Sequence, residues 1–178
     1  MSKTVPMGRC PGCGVELPGS AEPWDPRSLA SEACHALYGE VAGFESQRIV
    51  ELGRWHQLLV DAYAAQHAGE RTPPMGAAFA LIGLHLALEQ GWDGLEVRNA
   101  HQDLARRYRE WPAFPAPERR GALTVLDLAL ASTPEEHVER LRAWATTVWQ
   151  AWAGAHPAVE VLIAERLPLD RRLPAEPP

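Results

Sequence analysis

Residues 49–67 carry the pattern that most constrains the fold: Ile49, Leu52, His56, Val60, Tyr63 and His67 recur at the spacing of one helix face. Two histidines therefore sit on a buried stripe. A helix rises about 1.5 Å per residue, so His56 and His67 stand roughly 16 Å apart and cannot ligate one ion together. Each needs partners from elsewhere in the chain.

The first such partners are cysteines. The chain of 178 residues has three, two of them in a Cys10–Pro–Gly–Cys13–Gly turn and the third at Cys34. In a CPGCG turn the glycines let the backbone fold tightly enough for both sulfurs to face one centre, which is half of a zinc site. The second CxxC of a common four-cysteine site is missing, which leaves Cys34 as the third donor. A plainer alternative makes CPGCG a Gly-rich turn and Cys34 a small buried hydrophobe. A dithiol redox role for Cys10 and Cys13 is weaker, because the pair does not lie between a strand and the start of a helix.

The surrounding sequence predicts an all-α protein, a bundle of about five to six helices. Residues 1–24, rich in Pro and Gly, form an irregular zinc-knuckle arm, residues 25–166 the bundle, and residues 167–178 an extended tail, all in a single domain. Asp25–Pro26 resembles a helix start, giving a first helix over 25–43 and a second over 45–67. Thr72–Pro73 caps a third over 74–90, apolar almost all round, and a more polar fourth covers 95–110. Three prolines exclude helix from 111–117, and 123–130 is ambiguous between a short helix and an extended edge. Thr133–Pro134–Glu135–Glu136 opens a fifth helix to about residue 154, and a short last one runs from His156 to Arg166.

Short connections make antiparallel neighbours, so register can be estimated by reflection. A turn between Phe44 and Glu45 sets Cys34 level with His56, and reflection about residue 71 brings His85 to the same layer. The expected ligand set is Cys10, Cys13, Cys34 and His56 around Zn2+, with His85 and His67 as alternatives for the fourth position. His35 points about 100° away from Cys34 on its own helix. Tyr38, Glu40, Asp61 and Tyr63 are expected around the metal or lining a pocket. His67, His137 and His156 read most simply as caps or solvent-facing rings at helix ends.

The segments CPGCG, SEACHALYGE, HQLLVDAYAAQH, LIGLHLALE and VWQAWAGAHPAVE together resemble an uncharacterised family of small bacterial proteins known as a domain of unknown function. The resemblance spans Cys10 to about Val161. It implies that Cys10, Cys13, Cys34, Tyr38, Glu40, His56, Asp61, His67 and His85 belong to the family's motif set. It implies no activity. Ala155–His156 departs from the two consecutive histidines expected there. A looser likeness is to helical-bundle metalloproteins of the DinB type, an analogy of fold alone.

A net charge of −6 and a pI near 5.6, with no Lys/Arg cluster, argue against nucleic acid and anionic membranes as partners. The absence of an 18-residue apolar run and of a secretory h-region points to a cytoplasmic protein. The sequence therefore reads as a zinc-binding helical protein whose Cys3His site clamps its arm and whose surface serves interaction or regulation with an unidentified protein partner. The competing expectation is a metal-dependent hydrolase or transferase, with an open histidine site and Asp61 or Glu40 as base.

Overall fold

The computed structural model describes residues 6–167, so the expected tail over 167–178 lies, beyond its first residue, outside the described residues. Its arm is more regular than the sequence suggests. Strands β1 (Met7–Arg9) and β2 (Glu16–Pro18) pair antiparallel, with Gly8 opposite Leu17. The CPGCG turn sets that register: the Cys10 amide donates to the Val15 carbonyl at 2.8 Å, the Gly14 amide donates to the Cys10 carbonyl at 2.9 Å, and Gly14 takes φ 77°. Such a φ favours glycine. Three-residue strands are too short to leave a period in the sequence.

Asp25–Pro26 does not start a helix. The Asp25 carboxylate instead accepts from the Arg27 amide at 2.7 Å and from its guanidinium, closing a turn that competes with helical geometry. Helix α1 (Glu32–Gln47) begins six residues later, where Ser31 Oγ accepts from the Cys34 amide at 3.2 Å. It also ends later than expected, at Arg48. A short α2 (Ile49–Leu52) and a 3₁₀ turn (Gly53–Trp55) form the corner, and α3 (His56–Gln66) runs back along α1. The corner is therefore centred near residues 50 and 51 rather than 44 and 45. Three contacts mirror about that centre: Cys34 with His67, Tyr38 with Tyr63, and Glu45 with His56.

Helix α4 (Pro74–Leu88) is the most enclosed element, buried from Ala77 to Leu86 on nearly every side, and packs chiefly on α3. Helix α5 (Gly94–Arg107) starts on an Asp93/Glu96 capping box. The chain then crosses the surface extended. Trp111, Phe114, Pro117 and Arg120 are half-buried at every third position, the repeat of polyproline II geometry. Residues 125–129 settle as a short helix, α6 (Val125–Ala129), capped by Thr124 and Asp127. Helices α7 (Pro134–Ala151) and α8 (His156–Arg166) complete the bundle.

The core lies where α3 meets α4, α7 and α5, and its fully buried tryptophans, Trp144, Trp149 and Trp152, have satisfied N–H groups. Trp144 donates to Gln66 Oε1 at 3.0 Å, while the Gln66 amide donates to the carbonyls of Arg120 and Leu123 at 2.9 and 2.8 Å. One buried glutamine thus ties α3, α7 and the extended segment together. Among the described residues no helix is long and apolar enough to cross a membrane.

Candidate metal centre

The arm, α1 and the end of α3 converge at one point. Cys10 and Cys13 come from the hairpin turn, Cys34 from the first turn of α1, and His67 from the C-cap of α3. Their ligand atoms all lie within 4.8 Å of one another. Cys10 and Cys34 are 1% and 0% exposed and His67 2%, whereas Cys13 is partly open.

The spacing suits a tetrahedral ion. With metal–sulfur bonds of about 2.3 Å and metal–nitrogen bonds of about 2.0–2.1 Å, a tetrahedron has S–S edges of about 3.8 Å and S–N edges of about 3.6 Å. The Cys13 and Cys34 sulfurs are 3.8 Å apart, and Cys34 Sγ is 3.5 Å from His67 Nε2. His67 Nδ1 lies 2.8 Å from the Tyr63 carbonyl, which can only accept, so Nδ1 carries the proton and Nε2 turns its lone pair to the sulfurs. The sulfurs also receive donors: the Ser31 amide to Cys10 at 3.4 Å and the Tyr63 hydroxyl to Cys34 at 3.8 Å. Gly12 leaves room for the imidazole, since a Cβ there would stand 2.5 Å from His67 Cδ2.

Electrostatics point the same way. Hydrogen bonds from Cys13 and then Cys34 draw the Cys10 thiol far below its ordinary range. Cys13 is pushed up to about 12, first by its contact with Cys10, and Cys34 is raised as well, first by Cys10 and then by Cys13. One thiolate forms readily and the next two resist, because like charges crowd a buried space. A bound cation would allow all three to ionise near neutrality.

The structure does not bring the expected fourth ligand, His56, to the cysteines. His56 is not beside Cys34; its Nδ1 lies 2.7 Å from Glu45 Oε2 at the opposite end of the α1–α3 hairpin. The late corner is the reason, since it moves the partner of Cys34 from residue 56 to residue 67. His85 is also elsewhere, with Nε2 3.0 Å from Gln90 Nε2 and its ring edge-on to Trp149. His67 is the alternative that the geometry brings to the cysteines, and it is no solvent-facing cap. His137 is likewise 2% exposed, with Nε2 2.8 Å from Glu45 Oε1. His156 stacks on Trp149, and His35 stacks on Trp24 at 3.8 Å.

Of the residues expected nearby, Tyr63 touches Cys34 directly and Tyr38 stacks on Tyr63 at 4.0 Å. Glu40 is exposed and lies against a small depression with Phe44 and His137. Asp61 is buried against Gly83, accepts from Gln57 Nε2 at 3.0 Å, and is raised well above the usual carboxylate range by burial. It does not touch the metal centre. The histidines and Asp61 therefore form no shared open site among the described residues. Ser31, whose amide reaches Cys10 Sγ, was not singled out by the sequence, and neither was the buried Glu45 at the opposite end of the hairpin.

A family model described as a family of unknown function, DUF5946, matches residues 8–153. The chain belongs to that family. All four converging donors lie inside the matched span. No curated protein and no solved structure matches the chain.

Proposed function

We propose that this DUF5946 member is a zinc protein in which Cys10, Cys13, Cys34 and His67 hold one Zn2+ and lock the hairpin arm onto α1 and the end of α3. The observation that supports the reading is the convergence of four buried or half-buried donors, from three separate stretches, at tetrahedral spacing. Thiolate and imidazole donors select a borderline-soft ion such as Zn2+ over Mg2+ or Ca2+. Four protein ligands fill a tetrahedral ion, so the metal acts as a cross-link. The work of the protein is then interaction or regulation through its helical surface, in a cytoplasm that keeps free thiols reduced.

The test is metal content per chain after purification without chelator, on the parent, His67→Ala and His56→Ala. The expected result is one zinc in the parent and in His56→Ala, and none in His67→Ala. Zinc retained in His67→Ala and lost from His56→Ala would overturn the ligand set.

A further inference from the structure

His56 is held by one ring nitrogen and open at the other. Its Nδ1 lies 2.7 Å from Glu45 Oε2, while the side chain is 40% exposed. The Glu45 carboxylate is buried and also accepts from His137 Nε2 at 2.8 Å. A carboxylate accepts, so Nδ1 carries the proton. In the neutral ring the lone pair is then on Nε2, which has no partner among the described residues. The other histidines are placed differently: His67, His85, His101 and His137 are buried, and His35 and His156 stack on Trp24 and Trp149. Three exposed arginines from three elements gather round His56. The guanidiniums of Arg54 and Arg142 stand 5.6 and 5.7 Å from the ring centre of the adjoining Trp55, and Arg98 is near enough for its charge to oppose protonation of His56. Gly94 lets the start of α5 reach this corner, since a Cβ there would stand 2.5 Å from the Arg54 carbonyl oxygen. None of the three arginines is ion-paired among the described residues, and Asp93 and Glu96 are occupied with backbone amides of the capping box.

We propose that His56 Nε2 is a phosphoryl-acceptor site, loaded by a donor with a labile acyl-phosphate or phosphoramidate bond. The Nε2 lone pair attacks phosphorus and an N–P bond forms. The donor's P–O or P–N bond breaks, and the departing carboxylate or amine keeps the electron pair, so nothing is oxidised or reduced. Nδ1 keeps its proton throughout, and its bond to Glu45 strengthens as the ring gains positive charge. The arginines answer the negative charge of the phosphoryl oxygens, which suits guanidinium donors. Glu45 is a positioning residue: by fixing the tautomer it decides which nitrogen reacts. The site lies at the opposite end of the α1–α3 hairpin from the cysteines, so it does not depend on the zinc reading.

The experiment treats the full chain with potassium phosphoramidate at about pH 8.5, to favour the neutral ring against the upward pull of Glu45 on its pKa. Phosphorus NMR reads the isomer formed, and peptide mapping with fragmentation that spares the N–P bond reads the residue. The expected result is one phosphoryl group per chain, on His56 Nε2, formed about tenfold faster than any label on His35 or His156. Arg98→Ala, an exposed change, should slow the labelling about threefold. Glu45→Gln, which cannot accept from both rings, should admit the Nδ1 isomer, a change that lost stability alone does not produce. If that variant fails to fold, the isomer in the parent and the rate in Arg98→Ala still decide. Equal labelling of His35 or His156, an Nδ1 product in the parent, no label, or a parental rate in Arg98→Ala would overturn the proposal.

Discussion

The α1–α3 hairpin is closed by polar groups at both ends, and the two ends meet opposite needs. At the Glu45 end, a carboxylate 0% exposed lies between two imidazoles, His56 at 2.7 Å and His137 at 2.8 Å. Its charge is answered within the protein. At the Cys34 end, three sulfurs and an imidazole offer only negative or neutral donors once the thiols ionise, and on the proposed zinc reading that charge would be answered by a cation from outside. The Tyr38–Tyr63 stack separates the two ends. On the zinc reading, one and the same hairpin would have its buried charge neutralised by the fold at one end and by metal at the other, according to which donors the opposing helix supplies.

The contrast predicts unequal responses to chelation. Removing zinc, or substituting Cys34→Ala, should lower stability by about 4 kcal/mol where free zinc stands a thousandfold above Kd. That corresponds to roughly 8 to 16 °C in Tm for a chain of this size. Thermal melts with and without chelator check this, and a parent whose Tm ignores chelator would sink it.

Glu45→Ala should cost about 3 kcal/mol, because His137 loses its buried acceptor and the packing around it. Unlike Cys34→Ala, it should leave zinc stoichiometry at the parental value. Loss of zinc in Glu45→Ala would show that the ends fold as one unit and break the comparison.

The ends should also differ in the sign of their pH dependence. The Glu45 carboxylate raises the pKa of His56 above its ordinary value. A folded pKa above the unfolded value of about 6.5 gives stability that is complete below that pH and is lost as pH rises through the folded pKa. The His56 side chain is 40% exposed, so solvent screening holds the effect under about 1 kcal/mol. Zinc affinity runs the other way, falling as acid returns protons to the thiolates. Denaturant melts of the parent minus His56→Gln, at saturating zinc from pH 6 upward, should give a difference that shrinks as pH increases.

Much of the bundle was legible because α5 and α7 announce themselves by apolar periodicity, α4 by an apolar run with proline in its first turn though Thr72 does not cap it, and α7 starts at Pro134 as the Thr133–Glu136 pattern requires. The three thiol donors were legible from the CPGCG turn and the lone Cys34. The fourth, His67, was legible only as one alternative behind His56, for a physical reason. Reflection across a helical hairpin is only as good as the position of its corner, and Gly43 offered a false one inside α1, where nothing stands within 4 Å of a Cβ built on it and the helix runs on unbroken. The true corner at residues 48–55 is made by a change of backbone conformation at Arg48, φ −124°, with no proline to mark it. An error of six residues in the centre moved the residue level with Cys34 by twelve, from 55 to 67. The buried Glu45 was hidden for a related reason, since glutamate reads as a solvent-facing residue until the two imidazoles opposite it are known.

The smallest expected effect tests whether the two ends are independent. Tyr63 stands between them: its hydroxyl donates to Cys34 Sγ at 3.8 Å, its ring stacks on Tyr38, and burial raises its pKa, so it is a neutral donor at any physiological pH. Tyr63→Phe removes the hydroxyl and keeps the stack. A single long hydrogen bond to sulfur is worth about 0.5 kcal/mol, which weakens zinc binding by roughly twofold and moves Tm by less than about 2 °C. The His56 titration, followed by its ring proton shifts, should stay where it is in the parent. A shift of that titration in Tyr63→Phe would mean that the aromatic stack carries coupling from the thiolates to Glu45, and the hairpin would then have one polar system rather than two.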